Sequence, residues 1–138
     1  MGNSTTFLTI PAAQRLGTQV VYAEREIDFT VENLASGSTM DVLKLPKGAV
    51  PLRAGWITKT VNTNDANAKI ALSCPTADLA LVAAAVLGIA NAATIAALTT
   101  SKVMAAEDTV RITASDAALA QAKIVVFIEY AVSDACRN

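Results

Sequence analysis

The chain contains no histidine, the commonest general base and a common nitrogen ligand for metals at neutral pH. Its two cysteines, Cys74 and Cys136, stand far apart and match no zinc or redox spacing. They read as two unpaired thiols, one in a loop and one in the tail, with a disulfide between them left open. Aromatic residues make up 4% of the chain and charged residues 17%, against a usual charged share of about 25%. Eleven basic and twelve acidic residues leave a net charge of −1, which offers no electrostatic footprint for nucleic acid. Phosphate-loop, dinucleotide and nucleophile-elbow glycine motifs are missing, and no carboxylates stand at metal-ligand spacing. No enzyme activity, cofactor, metal site or nucleic-acid partner is therefore expected.

What the chain does have is alanine. At 138 residues it has the size of one domain, and 53% of it is apolar, enough to bury a core without metal or disulfide. Few charges and a net charge near zero do little to keep copies apart. A homodimer or homotrimer is expected, with part of the small-residue surface covered by a partner.

Residues 1–20 read as an N-terminal arm and 21–138 as a single domain. Ser, Thr, Gln and Gly dominate the arm, and Pro11 interrupts any regular element. Phe7, Leu8 and Ile10 are apolar anchors on this polar segment. They suit an arm that docks on its own domain or on a neighbouring subunit, though a frayed terminus would carry the same residues. The start lacks the basic and apolar regions of a secretory signal. MGNSTT fits the short myristoylation pattern, with Gly2 and Thr6 in place.

From Glu24 onward the pattern has period two. In 26–32, Ile27, Phe29 and Val31 alternate with charged and polar residues, as in a half-buried strand. MDVLKLP reads as a strand stopped by Pro46, followed by a tight Pro-Lys-Gly turn in which Gly48 can take positive φ. Pro51 and Gly55 mark the next strand as an edge strand or a bulged one. AKIALS, EDTVRITAS and KIVVFIEYAV follow as further strands. The last is apolar on both faces, hence central and covered. Short strands separated by turns predict an all-β antiparallel sandwich or barrel.

Residues 79–98, LALVAAAVLGIANAATIAAL, carry no charge and are long enough to cross a bilayer. Strands of one sheet on both sides, and no flanking basic cluster or aromatic belt, argue against a membrane span. Leu79, Val82, Val86 and Ile89 recur at near-helical spacing. They predict a short helical or irregular alanine-rich excursion, with Asp78 as N-cap and Gly88 and Asn91 ending it. This stripe and its alanine neighbours are candidate partner-contact residues, together with Phe7, Leu8 and Ile10. Asp65, Asp108 and Asp116 are expected to bind local backbone and Trp56 to lie in the core. Lys44, Lys47 and Arg53 form a small solvated basic grouping.

MDVLKLPKGAVPLRAGWITKTVNT, an apolar middle, MAAEDTVRITAS and AKIVVFIEYAV together resemble small virion proteins of tailed bacteriophages. Asp41, Pro46, Gly48, Asp108, Thr109, Val110, Glu129 and Tyr130 carry the resemblance, across roughly residues 40–132. It implies a capsid decoration (cement) protein with a jelly-roll sandwich. Such a protein would bind the major capsid protein on the outside of an icosahedral shell and clamp neighbouring subunits non-covalently, the arm serving as a holdfast. Assembly would take place in the host cytoplasm. The alternative is a head-fibre or host-recognition module that binds a cell-surface glycan. The scarcity of aromatics favours the first.

Overall fold

The computed structural model describes residues 18–133. The arm anchors Phe7, Leu8 and Ile10, and Cys136, lie outside them. Eight strands follow in chain order: β1 (Thr18–Asp28), β2 (Thr39–Leu45), β3 (Ala49–Thr60), β4 (Lys69–Cys74), β5 (Leu79–Val86), β6 (Ala92–Ala97), β7 (Asp108–Ser115) and β8 (Lys123–Ser133). They form two four-stranded sheets, ordered β1-β8-β3-β6 and β2-β7-β4-β5. Every pairing is antiparallel. First and last strands pair, and successive strands cross between the sheets except at the β4–β5 hairpin, a wiring of jelly-roll type.

Period-two patterning explains most of this. On β7 and β8, the inward positions Val110, Ile112, Ile124, Val126 and Ile128 are fully buried, and they meet Ile27, Leu45, Trp56, Ile70 and Leu72 from the facing strands. β8 is central, between β1 and β3, as its two apolar faces require. β1 begins at Thr18 and stops at Asp28, four residues short of the alternation read over 26–32. The Asp28 carboxylate accepts from Thr30 N and Thr30 Oγ1, which turns the chain there. Ile27 and Phe29 still enter the core, but Val31 is left on the surface.

Pro46 to Ala49 close the expected turn: Ala49 N donates to Pro46 O, and Gly48 takes φ 87°. β3 proves central rather than an edge strand, and its Pro51 falls at a register shift against β8. Pro51 also lies beyond Arg53, the last β3 residue paired with β6, so its missing N–H interrupts no β3–β6 bond. Asn62 staples two loops. Its amide donates to Asp65 O and Ala118 O and accepts from Ala120 N and Gln121 N.

Residues 79–98 are not helical. They form β5, a connection and β6, passing from one sheet to the other along one side of the sandwich. The near-helical spacing has a specific cause. The β4–β5 ladder shifts register on both sides of Leu72, and the adjacent residues Leu81 and Val82 are both buried. That doublet erases the alternation that marks a strand. Alanine's helix preference amounts to only tenths of a kcal/mol per residue and yields to the ladders offered by β3 and β4. The proposed helix terminators act as turn residues instead. Gly88 has φ 89° and Asn91 φ 63° between β5 and β6, while Asp78, at φ 53°, closes a turn with Asp78 N donating to Pro75 O. No helix among the described residues is long and apolar enough to cross a membrane.

Gly55 is the tightest point of the first sheet. A Cβ there would lie 1.9 Å from the Thr94 carbonyl oxygen on β6. Because the obstacle is backbone, Gly55→Ala must push β6 off β3. We expect a loss of about 2–3 kcal/mol, read as a lower urea midpoint with faster amide exchange across 92–97. Unchanged exchange in β6 would show that the ladder absorbs the methyl group.

Candidate interaction surface

The outer faces of the two sheets differ in kind. On the central strands β7 and β4 of the second sheet, the outward residues are Thr109, Arg111, Thr113, Ser115, Lys69, Ala71 and Ser73, and the edge strand β5 adds exposed Val86 and several alanines. Arg111 Nε donates to Asp41 Oδ1 at 2.7 Å, and Lys69 pairs with Asp116 at 3.0 Å. The Arg111 guanidinium, against some desolvation, holds the Asp41 carboxyl below its ordinary range. Both partners are part-exposed and screened by solvent, so Arg111→Ala should leave the denaturant midpoint nearly unchanged. A larger drop in denaturant midpoint would mean that the pair is coupled to the core.

On β1-β8-β3-β6, register places the outward residues in rows. Tyr22, Glu129, Arg53 and Ala97 form one row, Glu24, Phe127, Gly55 and Ile95 the next, and Glu26, Val125, Ile57 and Ala93 a third. The centre of this face is apolar. Tyr22 stacks on Phe127 with ring centroids 5.8 Å apart and planes at 23°. Tyr22 is 53% exposed and Ile95 57%, and Val20 is also exposed on β1, next to Tyr22 on the same face. Gly55 contributes no side chain between Phe127 and Ile95, and a cleft of about 240 Å³ opens there, lined by Tyr22, Arg53, Ile57, Ala93, Ile95, Phe127 and Glu129. Arg53 Nη2 donates to both Glu129 oxygens at 3.2 Å at its rim. The Tyr22 hydroxyl donates to Glu24 Oε2 at 2.9 Å. Desolvation, and then the bond to and charge of Glu24, raise the tyrosine's pKa. The face can hold an apolar partner and offers it one ion pair and one phenol for orientation.

The sequence-derived contact residues do not share a face. Leu79 packs half-buried against the core and Val82 is buried, whereas Val86 and Ile89 are exposed. Ile89 lines a second cleft with Val61, Leu87 and Gly88. The basic grouping is also divided, since Arg53 sits on β3 of the first sheet and Lys44 on β2 of the second. Val20, Tyr22, Ile57 and Ile95 lie on three separate strands, so the sequence does not show them as one surface. The available signal was the two-sided apolar pattern of β8, whose Phe127 and Val125 are covered from outside by neighbouring side chains rather than by another layer.

Two of the three aspartates and the tryptophan behave as expected. Asp108 accepts from the amides of Thr76, Ala77 and Thr109, Asp65 from that of Asn67, and Trp56 is wholly buried. Asp116 instead bonds Lys69 across the ladder. Cys74 ends strand β4 in the core rather than standing in a loop. Burial, and then the nearby Asp108 charge, push its thiol up to about 12. A maleimide or disulfide reagent should therefore leave Cys74 unmodified until denaturant is added. Mass-spectrometric labelling of Cys74 in native buffer at the rate of a free thiol would contradict this.

No family model and no curated relative matches the sequence. Solved structures do share its fold. A chain of the cyanophage Pam1 capsid asymmetric unit superposes with a TM-score of 0.62 at 17% identity, covering 86% of this chain and 88% of that one. A chain of the capsid of Ralstonia phage GP4 gives 0.62 at 18%, covering 83% and 84%. A chain from the acid-stable capsid of Helicobacter pylori bacteriophage KHP30 gives 0.55 at 15%, covering 83% and 93%. The chain is thus an all-β jelly-roll sandwich of a kind that occurs in phage capsid structures.

Proposed function

We propose that this chain is a structural protein of a phage particle. It binds the outer surface of an icosahedral capsid, contacts the major capsid protein and holds neighbouring subunits together without covalent bonds. The observation that carries this reading is the apolar outer face of β1-β8-β3-β6, set against the ion-paired face of the other sheet. A face with exposed Tyr22, Ile95 and Val20 gains by being covered, at about 25 cal/mol per Å² of apolar area. The fold it shares with chains of phage capsid structures supports the location. As a homodimer or homotrimer, the protein would meet a symmetric shell at several points at once, which converts weak contacts into durable attachment. A ligand bound only to the assembled shell raises the cost of disassembly.

The test is sedimentation with purified particles that lack the protein. Intact chain is expected to co-sediment and to raise the temperature at which the shell releases its genome. Tyr22→Glu and Ile95→Lys, both at exposed positions, should fold normally yet lose occupancy. Full occupancy by both variants would remove this face from the contact, and failure of the intact chain to bind would sink the reading. The glycan-binding alternative has one observation in its favour, the Tyr22 ring beside the Arg53–Glu129 pair. It predicts retention on a host-surface glycan column that Tyr22→Glu abolishes.

A further inference from the structure

Strand β6 is the last strand of its sheet and pairs with β3 alone. Its other side presents backbone N–H and C=O groups that meet no strand among the described residues. Sheets usually guard such an edge with charge, proline or a bulge. β6 reads AATIAA and keeps unbroken register with β3 from Ala92 to Ala97, so it has none of these. The other edge on this side of the sandwich, β5, is bulged twice. The inward positions of β6 are the small residues Ala92, Thr94 and Ala96, all half-buried. Large side chains are therefore lacking where the core reaches its lateral margin.

We infer that residues 5–10 of one copy of this chain add as a strand to the β6 edge of a second copy. The segment Thr5-Thr6-Phe7-Leu8-Thr9-Ile10 is uncharged, rich in β-branched and aromatic residues, and as long as β6. Pro11 follows it and ends the run of donors. Alternation sends Phe7 and Thr9 to one face and Leu8 and Ile10 to the other. One of these pairs thus meets the small inward side chains of β6, and the other joins Ile95 on the apolar outer face.

Reach decides which copy supplies the segment. The described chain begins at Thr18, on the opposite edge of the same sheet. Register aligns Ala97 with Tyr22 and Ala92 with Ile27. From Thr18, the Ala97 end of β6 is about 19 Å away and the Ala92 end about 33 Å, from strand rise and spacing. Residues 11–17 span at most about 25 Å. Within one chain the segment could reach only the Ala97 end, and would then run parallel to β6. An antiparallel strand, the more stable arrangement and the one used by every pairing in this fold, has to come from another copy. Exchange of this kind would link copies into a closed ring or dimer through backbone hydrogen bonds.

The contact is between copies of this chain, so it is tested without a capsid, and its failure would leave the particle-binding assay untouched. The full chain is made with Cys136→Ser, leaving buried Cys74 as the only native thiol. Phe7→Cys, Leu8→Cys or Thr9→Cys on a tagged chain is mixed with Ala93→Cys or Ile95→Cys on an untagged one, and the mixture is oxidised. The expected result is a shift to a disulfide-linked heterodimer, with the favoured partner moving from Ile95→Cys to Ala93→Cys as the arm cysteine moves from 7 to 9. Three results overturn the inference: a dimer no more abundant than that formed with Val31→Cys, an exposed loop control; the opposite trend in partner; or linkage only within single chains of the doubly substituted Thr9→Cys/Ala93→Cys protein.

Discussion

Replacing Asp108 by alanine is expected to lower the unfolding free energy by about 3–5 kcal/mol, a large share of the roughly 5–15 kcal/mol that holds a domain together. The side chain is 3% exposed at the start of β7. Its carboxylate accepts from Thr76 N at 3.1 Å, Ala77 N at 2.8 Å and Thr109 N at 2.8 Å. Two of these donors belong to the β4–β5 turn, so the residue ties that turn to the neighbouring strand. Alanine would leave the amides of Thr76, Ala77 and Thr109 without this acceptor, at part-buried positions where an unpaired donor costs more than the bond itself contributes. Asn would keep one acceptor and lose the charge, so Asp108→Asn should fall between wild type and Asp108→Ala.

The same site sets a pH dependence. Burial works against the Asp108 charge, but the amide donors outweigh it, and the carboxyl lies below its ordinary range. A depressed folded-state pKa contributes stability that is fully present above the unfolded value of about 3.9 and disappears as pH falls through the folded one. Wild type should lose stability on acidification below about pH 4, and Asp108→Asn should show a shallower acid limb. Urea midpoints measured from pH 7 to pH 2.5 check both statements. Parallel acid limbs would mean that Asp108 titrates alike in the folded and unfolded chain.

Trp56→Ala should cost a comparable amount, about 3–5 kcal/mol. Trp56 is the largest fully buried side chain, and its Nε1 donates to Leu87 O at 3.0 Å. Thr58 Oγ1 donates to the same carbonyl. These two bonds join β3 to the connection between β5 and β6, where Gly88 and Asn91 turn the chain. Alanine therefore empties the core centre and frees the arch that carries the uncharged stretch to the other sheet. Trp56→Phe keeps most of the volume and loses only the donor, so a loss of about 1–2 kcal/mol is expected. The chain has a single tryptophan, so circular dichroism rather than fluorescence must follow unfolding. Equal losses in both variants would place the whole contribution in the hydrogen bond instead of the packing.

Alternation alone sorted the side chains of β7 and β8 onto two faces, because which side chains share a face depends only on chain geometry. The apolar character of both β8 faces gave its central place, and Pro46 and Gly48 marked the turn. Three things were settled only in three dimensions. Pairing with β3 and β4 made strands of residues 79–98, because inter-strand hydrogen bonds join residues distant in sequence and outweigh alanine's small local preference. The burial of Leu81 and Val82 side by side depends on register shifts in the partner strand. The apolar outer face exists because strand order sets Tyr22, Phe127, Gly55 and Ile95 side by side from four separate segments. Each segment by itself shows only an outward residue or two, and a patch is a property of their neighbours.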